Sequence, residues 1–409
     1  MACVVTLAAG SACGGEDPAA TGGGGHTASA TGGGVTTSQG GVGGTAGSAA
    51  AGGGGSRTMI VEVTFDTTTL RNEAPGNGRS ARGCDNWPIT EAESGHQYSS
   101  WGDGNGFEGS VRASLGVARL EGGKDGYSAY DTFETGTDVP GWDGKSKGIL
   151  AIGNTLYLVR SGNGSDAAGY ALEELYKSTD GGHSFSLTDA AWYPSDFADG
   201  RGFSNLTFCQ FGPGYSNTYD EYVYLYGFEE QAGDWEVQFP GRIALLRVLP
   251  SGIEDRANYE YFAGWSGSEA TWTSALADRA WVFDDDQAGV MRFSVTYRAR
   301  IRKFVLMAQQ QSRLFPDAKL GIYQADAPWG PFVDAMPVNP VDPKTLGSPI
   351  PIMADGQGTE QEATKTVFFG ISNKWSDEMA EPGGFVMVYT GDWQDEWGSV
   401  EGQFVLASD

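Results

Sequence analysis

Histidine and cysteine are scarce in this chain, which has three and four of them in 409 residues. His26 stands in a low-complexity tail, so a three-histidine metal site would have to recruit it, and no His-x-x-x-His spacing occurs. His96 and His183 are the only plausible bases for Ser-His-Asp chemistry, and no Gly-x-Ser-x-Gly elbow stands in a strand-turn-helix context. Of the cysteines, Cys3 and Cys13 fall near the start; Cys84 and Cys209 leave room for one disulfide in an oxidising compartment, but not for a disulfide framework. Neither a metal nor a cofactor is expected.

Positive charge is also scarce. Lys and Arg number 26 against 52 acids, a formal charge of −26; the first 56 residues hold only the acids Glu16 and Asp17, so the remainder carries −24. Nucleic acid and anionic membrane surfaces are therefore poor partners. No run of roughly 20 apolar residues is present to cross a bilayer as a helix.

Residues 1–56 contain no Lys, Arg, Trp, Tyr or Phe. Their Gly, Ala, Ser and Thr cannot offset the entropy of ordering, and residues 14–56 are expected to be a disordered linker. Residues 1–13 form a short apolar run ending in small residues and Cys13, followed by Gly14 and Gly15. This resembles a bacterial lipoprotein leader, in which the cysteine carries the lipid. No positive charge precedes the run, and Gly10 stands where a Leu-like residue is usual. The expectation is a protein outside the cytoplasm, tethered through Cys13 or secreted.

The rest of the chain, 57–409, is rich in short apolar or aromatic runs with two-residue alternation, broken by Gly, Asn, Asp and Pro, and it shows no convincing amphipathic helix. The runs at Ile149–Arg160, Phe203–Phe211, Tyr222–Phe228, Phe304–Gln309 and Phe385–Tyr389 are examples of the strands expected. The fold class is all-β. The strands are too many for a simple sandwich, and the length divides into about five units of roughly 70 residues, so a five-bladed β-propeller is predicted. Ser178-Thr-Asp180-Gly-Gly182-His-Ser-Phe185 matches the Asp-box pattern of propeller hairpins. Asp180 is expected to accept backbone N–H bonds in a tight turn while Phe185 packs into the blade, so it is not a catalytic candidate.

Chemistry concentrates between Cys84 and Phe107. With a turn centred on Ser94, residues whose numbers sum to 188 face one another, so Asp85 meets Asp103 and Trp87 meets Trp101. Strand alternation puts all four on one face. Like charges opposed across a sheet are unfavourable and ask for a functional reason. Glycosidic cleavage supplies one, because it commonly uses one carboxyl group as acid and a second as base or nucleophile. Trp87 and Trp101 are expected to form a sugar platform, with core packing as the competing reading. Pro88 cannot donate to a ladder and suits an edge strand.

These residues resemble a known family. Asp85-Asn86-Trp87-Pro88, Trp101-Gly102-Asp103-Gly104, Lys147-Gly148, Tyr222-Val-Tyr224-Leu-Tyr226-Gly227 and Ala327-Pro-Trp329-Gly-Pro331-Phe332 are similar to the family known as domain of unknown function 4185. Part of that family is classed as glycoside hydrolase family 183, the endo-D-arabinanases. The resemblance implies a five-bladed propeller, cleavage within D-arabinofuranose polymers, and Asp85 and Asp103 as the catalytic pair in the central funnel. Glu91 and the following Ala-Glu-Ser-Gly depart from the Trp-Ala-Asp-Asp-like run expected there, which points to a different subsite.

The function expected from the sequence is an exported endo-acting glycosidase of a furanose polysaccharide, most simply D-arabinan, working as a monomer. Asn86 and Lys147 join the tryptophans as substrate-binding candidates, and Glu229 or Glu230 is a weaker candidate for a third carboxylate. The competing expectation is a non-catalytic propeller that binds glycans, which needs the aromatics but not two opposed carboxylates.

Overall fold

The computed structural model describes residues 58–408 apart from 110–111, 135–143, 163–171, 201, 231–240, 285–289, 291, 311–318, 338, 340–367 and 392–395. The leader, Cys13 and the linker lie outside the described residues, as do Asp285 and Asp286 and the side chain of Glu230.

The chain begins with β1 (Thr58–Arg71) and then lays down four antiparallel strands, β2 (Ile89–Glu91), β3 (Gln97–Gly104), β4 (Ala113–Glu121) and β5 (Ser128–Glu134). A second sheet follows with β6 (Lys145–Ile152), β7 (Thr155–Ser161), β8 (Glu173–Ser178) and β9 (Ser186–Trp192). The third group is β10 (Asn205–Gln210), β11 (Val223–Glu230), β12 (Gly241–Val248), β13 (Glu260–Ser266) and β14 (Glu269–Thr273), with β15 (Trp281–Asp284) beside β12. The fourth is β16 (Phe293–Arg298), β17 (Lys303–Gln310), β18 (Lys319–Ala325) and β19 (Val333–Asp334). The last sheet contains β20 (Phe369–Ser372), β21 (Gly384–Gly391) and β22 (Glu396–Ser408), and β1 returns as its outer strand. A five-residue helix, α1 (Asn373–Asp377), follows β20.

Each group is a blade and the whole is a five-bladed propeller. Successive inner strands meet at the centre: β10 pairs in parallel with β16 through Cys209↔Val295, and β6 packs against both β2 and β10. The ring closes where β1 pairs with β22, from Thr58↔Ser408 to Phe65↔Gly402 and beyond, tying the two ends of the propeller into one sheet and covering an edge.

Propeller geometry explains why alternation in this sequence does not separate core from solvent. Each sheet packs a neighbouring blade on both faces, so inner strands such as β10 and β20 are buried at every position. Leu115 and Val117 of the first blade share a core with Ile149, Ala151 and Leu158 of the second. Val305 and Met307 of the fourth blade share one with Phe369 and Met387 of the fifth. The predicted single strand Ile149–Arg160 is in fact two, β6 and β7, because Gly153 takes a left-handed φ of 58° and turns the chain so that Ile152 pairs with Thr155. Cys84 and Cys209 are buried free thiols on different blades and form no disulfide.

Candidate active site

The β2–β3 hairpin keeps the expected register at its turn, with Ile89↔Ser99, Thr90↔Tyr98 and Glu91↔Gln97. Beyond Pro88 it slips. Asp85 exchanges both backbone hydrogen bonds with Gly102, at 2.9 and 2.8 Å, so Asp103 is not opposite Asp85 but next to its partner. Three residues, Asn86 to Pro88, stand against two, Ser100 and Trp101, which is a bulge on the first strand. Asn86 (φ 56°) and Asp103 (φ 60°) hold the left-handed backbone the bulge and its far end require, and Asn and Asp are the residues that tolerate it best. Gly102 makes room for the carboxylate: a Cβ there would lie 2.9 Å from Asp85 Oδ1.

This end of the hairpin sits where other inner strands begin. Lys145 Nζ, from the start of β6, donates to Asp103 Oδ2. Arg292 Nη2, just before β16, lies 4.0 Å from Asp85 Oδ2, and its Nη1 donates to Gln309 Oε1 at 3.3 Å. Asn86 Nδ2 donates to Asp85 Oδ1 at 3.1 Å, while the Asn86 N–H donates to Thr390 Oγ1 of the last blade at 2.9 Å. The bulge is thus clamped by three blades, because Ser146 Oγ also donates to the Asn86 carbonyl. The side chain of Asp85 is 15 % exposed and that of Asp103 is 34 % exposed, so the two carboxylates occupy different environments.

Lys147, predicted from sequence, is brought to the same place. It is buried, and that burial, followed by the nearby Arg292, pulls its ammonium down to about 8; Glu173 and Asp85 oppose the shift. Glu173, on β8 of the same blade, is fully buried with the Ser161 hydroxyl donating to it, and its carboxyl is pushed up to about 8 by that burial. Sequence inspection missed Lys145, Arg292 and Glu173. Arg292 carries no local signal, because only the packing of the fourth blade against the first brings it to Asp85.

The tryptophans are not a sugar platform. Trp87 and Trp101 do share a face, as expected, but both are fully buried. Trp87 packs on Trp397 at 5.1 Å and on Phe107 at 5.5 Å, and Trp101 lies so close over Gly116 that a Cβ there would be 2.1 Å from its ring. The shared face is the one turned to the last blade, and a side chain with no accessible surface has none to offer a sugar. Glu229 is committed elsewhere: Arg279 grips it with two bonds of 2.5 and 2.7 Å while stacking over Phe197.

Asp180 behaves as the Asp-box reading expects. It accepts from Ser178 Oγ (2.8 Å), the N–H groups of His183 and Ser184 (3.0 Å each) and Ser184 Oγ (2.6 Å), and Phe185 packs against Phe133. These bonds, led by the Ser184 hydroxyl, hold its carboxyl well below the usual range.

The molecule is therefore a five-bladed propeller with a charged centre at one end of its inner strands. No family model and no curated protein matches the chain. Among solved structures it is similar to the α-L-arabinofuranosidase of Podospora anserina in complex with cellotriose, at 10% identity over 81% of this chain and 94% of that one, TM-score 0.45. It is also similar to the α-L-arabinanase of Penicillium chrysogenum complexed with arabinobiose, at 10% identity over 86% and 99%, TM-score 0.41. A thermostable family-43 glycoside hydrolase gives 12% identity over 83% and 96%, TM-score 0.44. The fold assignment rests on the strand pairing given above.

Proposed function

We propose that this chain is an exported glycoside hydrolase that cleaves internal bonds of a furanose polysaccharide, D-arabinan above all, with Asp85 and Asp103 sharing the acid and base roles. One observation carries the reading. The two aspartates stand one residue out of register at the same end of the hairpin, each against a cation from a different blade, Asp85 by Arg292 and Asp103 by Lys145. Glycosidic hydrolysis needs two carboxyl groups in unlike environments, one to protonate the departing oxygen and one to activate water or attack the sugar. The family resemblance of the Asp85 and Asp103 motifs supports the same pair and the D-arabinan substrate. Lys147 and Asn86 line the same end and position sugar hydroxyls, and Trp87 and Trp101 serve the blade core behind them. Cys13 and the linker tether the domain to the envelope.

The test compares wild type with Asp85→Asn and Asp103→Asn on D-arabinan, measuring reducing ends released and polymer bound. The reading expects oligomer ladders from wild type and retained binding without turnover in both variants. Full activity in either variant removes that residue from the pair. Wild-type binding without turnover would instead identify a glycan-binding propeller.

A further inference from the structure

We infer that Thr390 of the last blade is a positioning residue: its hydroxyl anchors the bulge at Asn86 and, through Asn86, fixes the aim of the Asp85 carboxylate. The inference rests on the reading of Asp85 as catalytic and adds a fully buried residue that no substrate reaches.

The bulge takes Asn86 out of the β2–β3 ladder into a left-handed backbone with φ 56°, and it does so in a buried place. Its N–H and carbonyl therefore need partners away from water. Both partners are side chains from neighbouring blades. Thr390 Oγ1 accepts from the Asn86 N–H at 2.9 Å, and Ser146 Oγ of β6 donates to the Asn86 carbonyl at 3.3 Å. Ser146 Oγ is itself 2.7 Å from Ser100 Oγ on β3. With its backbone held from two sides, Asn86 turns its own amide onto Asp85, Nδ2 donating to Oδ1 at 3.1 Å. An unbroken chain of hydrogen bonds thus joins the last blade to the carboxylate.

The residue type at this position points the same way. Thr390 lies on β21, where Val386 and Val388 precede it at a spacing of two and share its face. Those valines belong to the core around Trp87 and Trp101. Valine has the shape of threonine and would fill the position equally well if packing were the only demand. A fully buried hydroxyl is worse there than a methyl unless it is hydrogen-bonded, and the Asn86 N–H is the group it serves. The Thr390 N–H donates to the Phe368 carbonyl at 3.3 Å, so its backbone stays in the sheet while its side chain reaches the first blade. That sheet is the one closed by β1, since β21 pairs with β22 and β22 with β1.

The experiment compares Thr390→Val with Thr390→Ser on D-arabinan, reading kcat and KM per folded molecule, with a crystal structure of each variant. Thr390→Val keeps the shape and removes the acceptor. It is expected to lower kcat about 10-fold with KM within about 2-fold of wild type, because a misaimed carboxylate loses turnover rather than binding. Thr390→Ser keeps the hydroxyl and is expected to hold kcat within about 2-fold of wild type, even though loss of the methyl lowers the thermal midpoint. A merely structural Thr390 predicts equal turnover per folded molecule in the two variants, and that result overturns the inference.

Where Thr390→Val fails to fold, Thr390→Ala takes its place against Thr390→Ser, since those two differ by the hydroxyl alone. The same split in kcat is expected, and equal turnover again counts against the inference.

The crystal structures read the link without substrate. Asp85 Oδ1 should part from Asn86 Nδ2 in Thr390→Val and keep that bond in Thr390→Ser. An Asp85 carboxylate unmoved in Thr390→Val overturns the inference whatever the rates. A wild type that cleaves no furanoside, with the carboxylate displaced in Thr390→Val, overturns only the glycosidase reading.

Discussion

Asp180 and the Asp85–Asp103 pair are aspartates in glycine-rich hairpins of adjacent blades, and they do opposite things with their charge. Asp180 turns its charge on its own turn, taking four bonds from residues 178 to 184. Asp85 and Asp103 take partners from far along the chain, Arg292 and Lys145, across blade boundaries. A carboxylate whose bonds all come from its own turn is a structural part of that turn. One held by cations from other blades is pinned in place yet keeps part of its surface exposed. The contrast separates turn chemistry from site chemistry within one fold.

The largest expected effect breaks the contrast directly. Asp85→Asn or Asp103→Asn should lower kcat/KM on D-arabinan by about 10²–10⁴-fold with little change in thermal midpoint, as removal of a general acid or base does. Asp180→Asn should do the reverse, leaving turnover intact and costing at most about 1 kcal/mol in denaturant unfolding, because solvent competes for bonds in an exposed turn.

Much of this was legible in the sequence. The Asp-box residues specify their own turn, so a local pattern sufficed. The β2–β3 register at Glu91↔Gln97 followed from the turn at Ser94. What failed was extrapolation past Pro88, where the bulge at Asn86 shifts Asp85 onto Gly102. Trp87 and Trp101 were placed on one face correctly, but a period of two cannot say whether a face meets solvent or the next blade. The cations Lys145 and Arg292 come from the second and fourth blades, and long-range closure of that kind leaves no trace in local spacing. The closing strand β1 was likewise unreadable, since its partner β22 lies at the other end of the chain.

Smaller effects sharpen the comparison. Gly102→Ala places a methyl 2.9 Å from Asp85 Oδ1 and should cost about 10²-fold in kcat/KM by displacing that carboxylate. Lys145→Met removes the cation on Asp103 and should cost about 10-fold, the order expected of one charge-assisted bond.

The smallest effect lies at the turn end of the same hairpin, where Glu91 closes β2. Glu91 is pushed up to about 7 by burial, with Lys374 opposing and Asp377 and Glu378 adding to the shift. Its raised value means stability present below pH 4.5 and lost as pH rises through about 7. Glu91→Gln should therefore flatten the thermal midpoint across that window while leaving the rate profile of D-arabinan cleavage in place.

The most direct measurement of the central claim is reducing-end release from D-arabinan by Asp85→Asn and Asp180→Asn side by side, each normalised to its folded fraction. The account predicts near-complete loss in the first and wild-type release in the second. Equal activity in the two variants, or greater loss in Asp180→Asn, would contradict it.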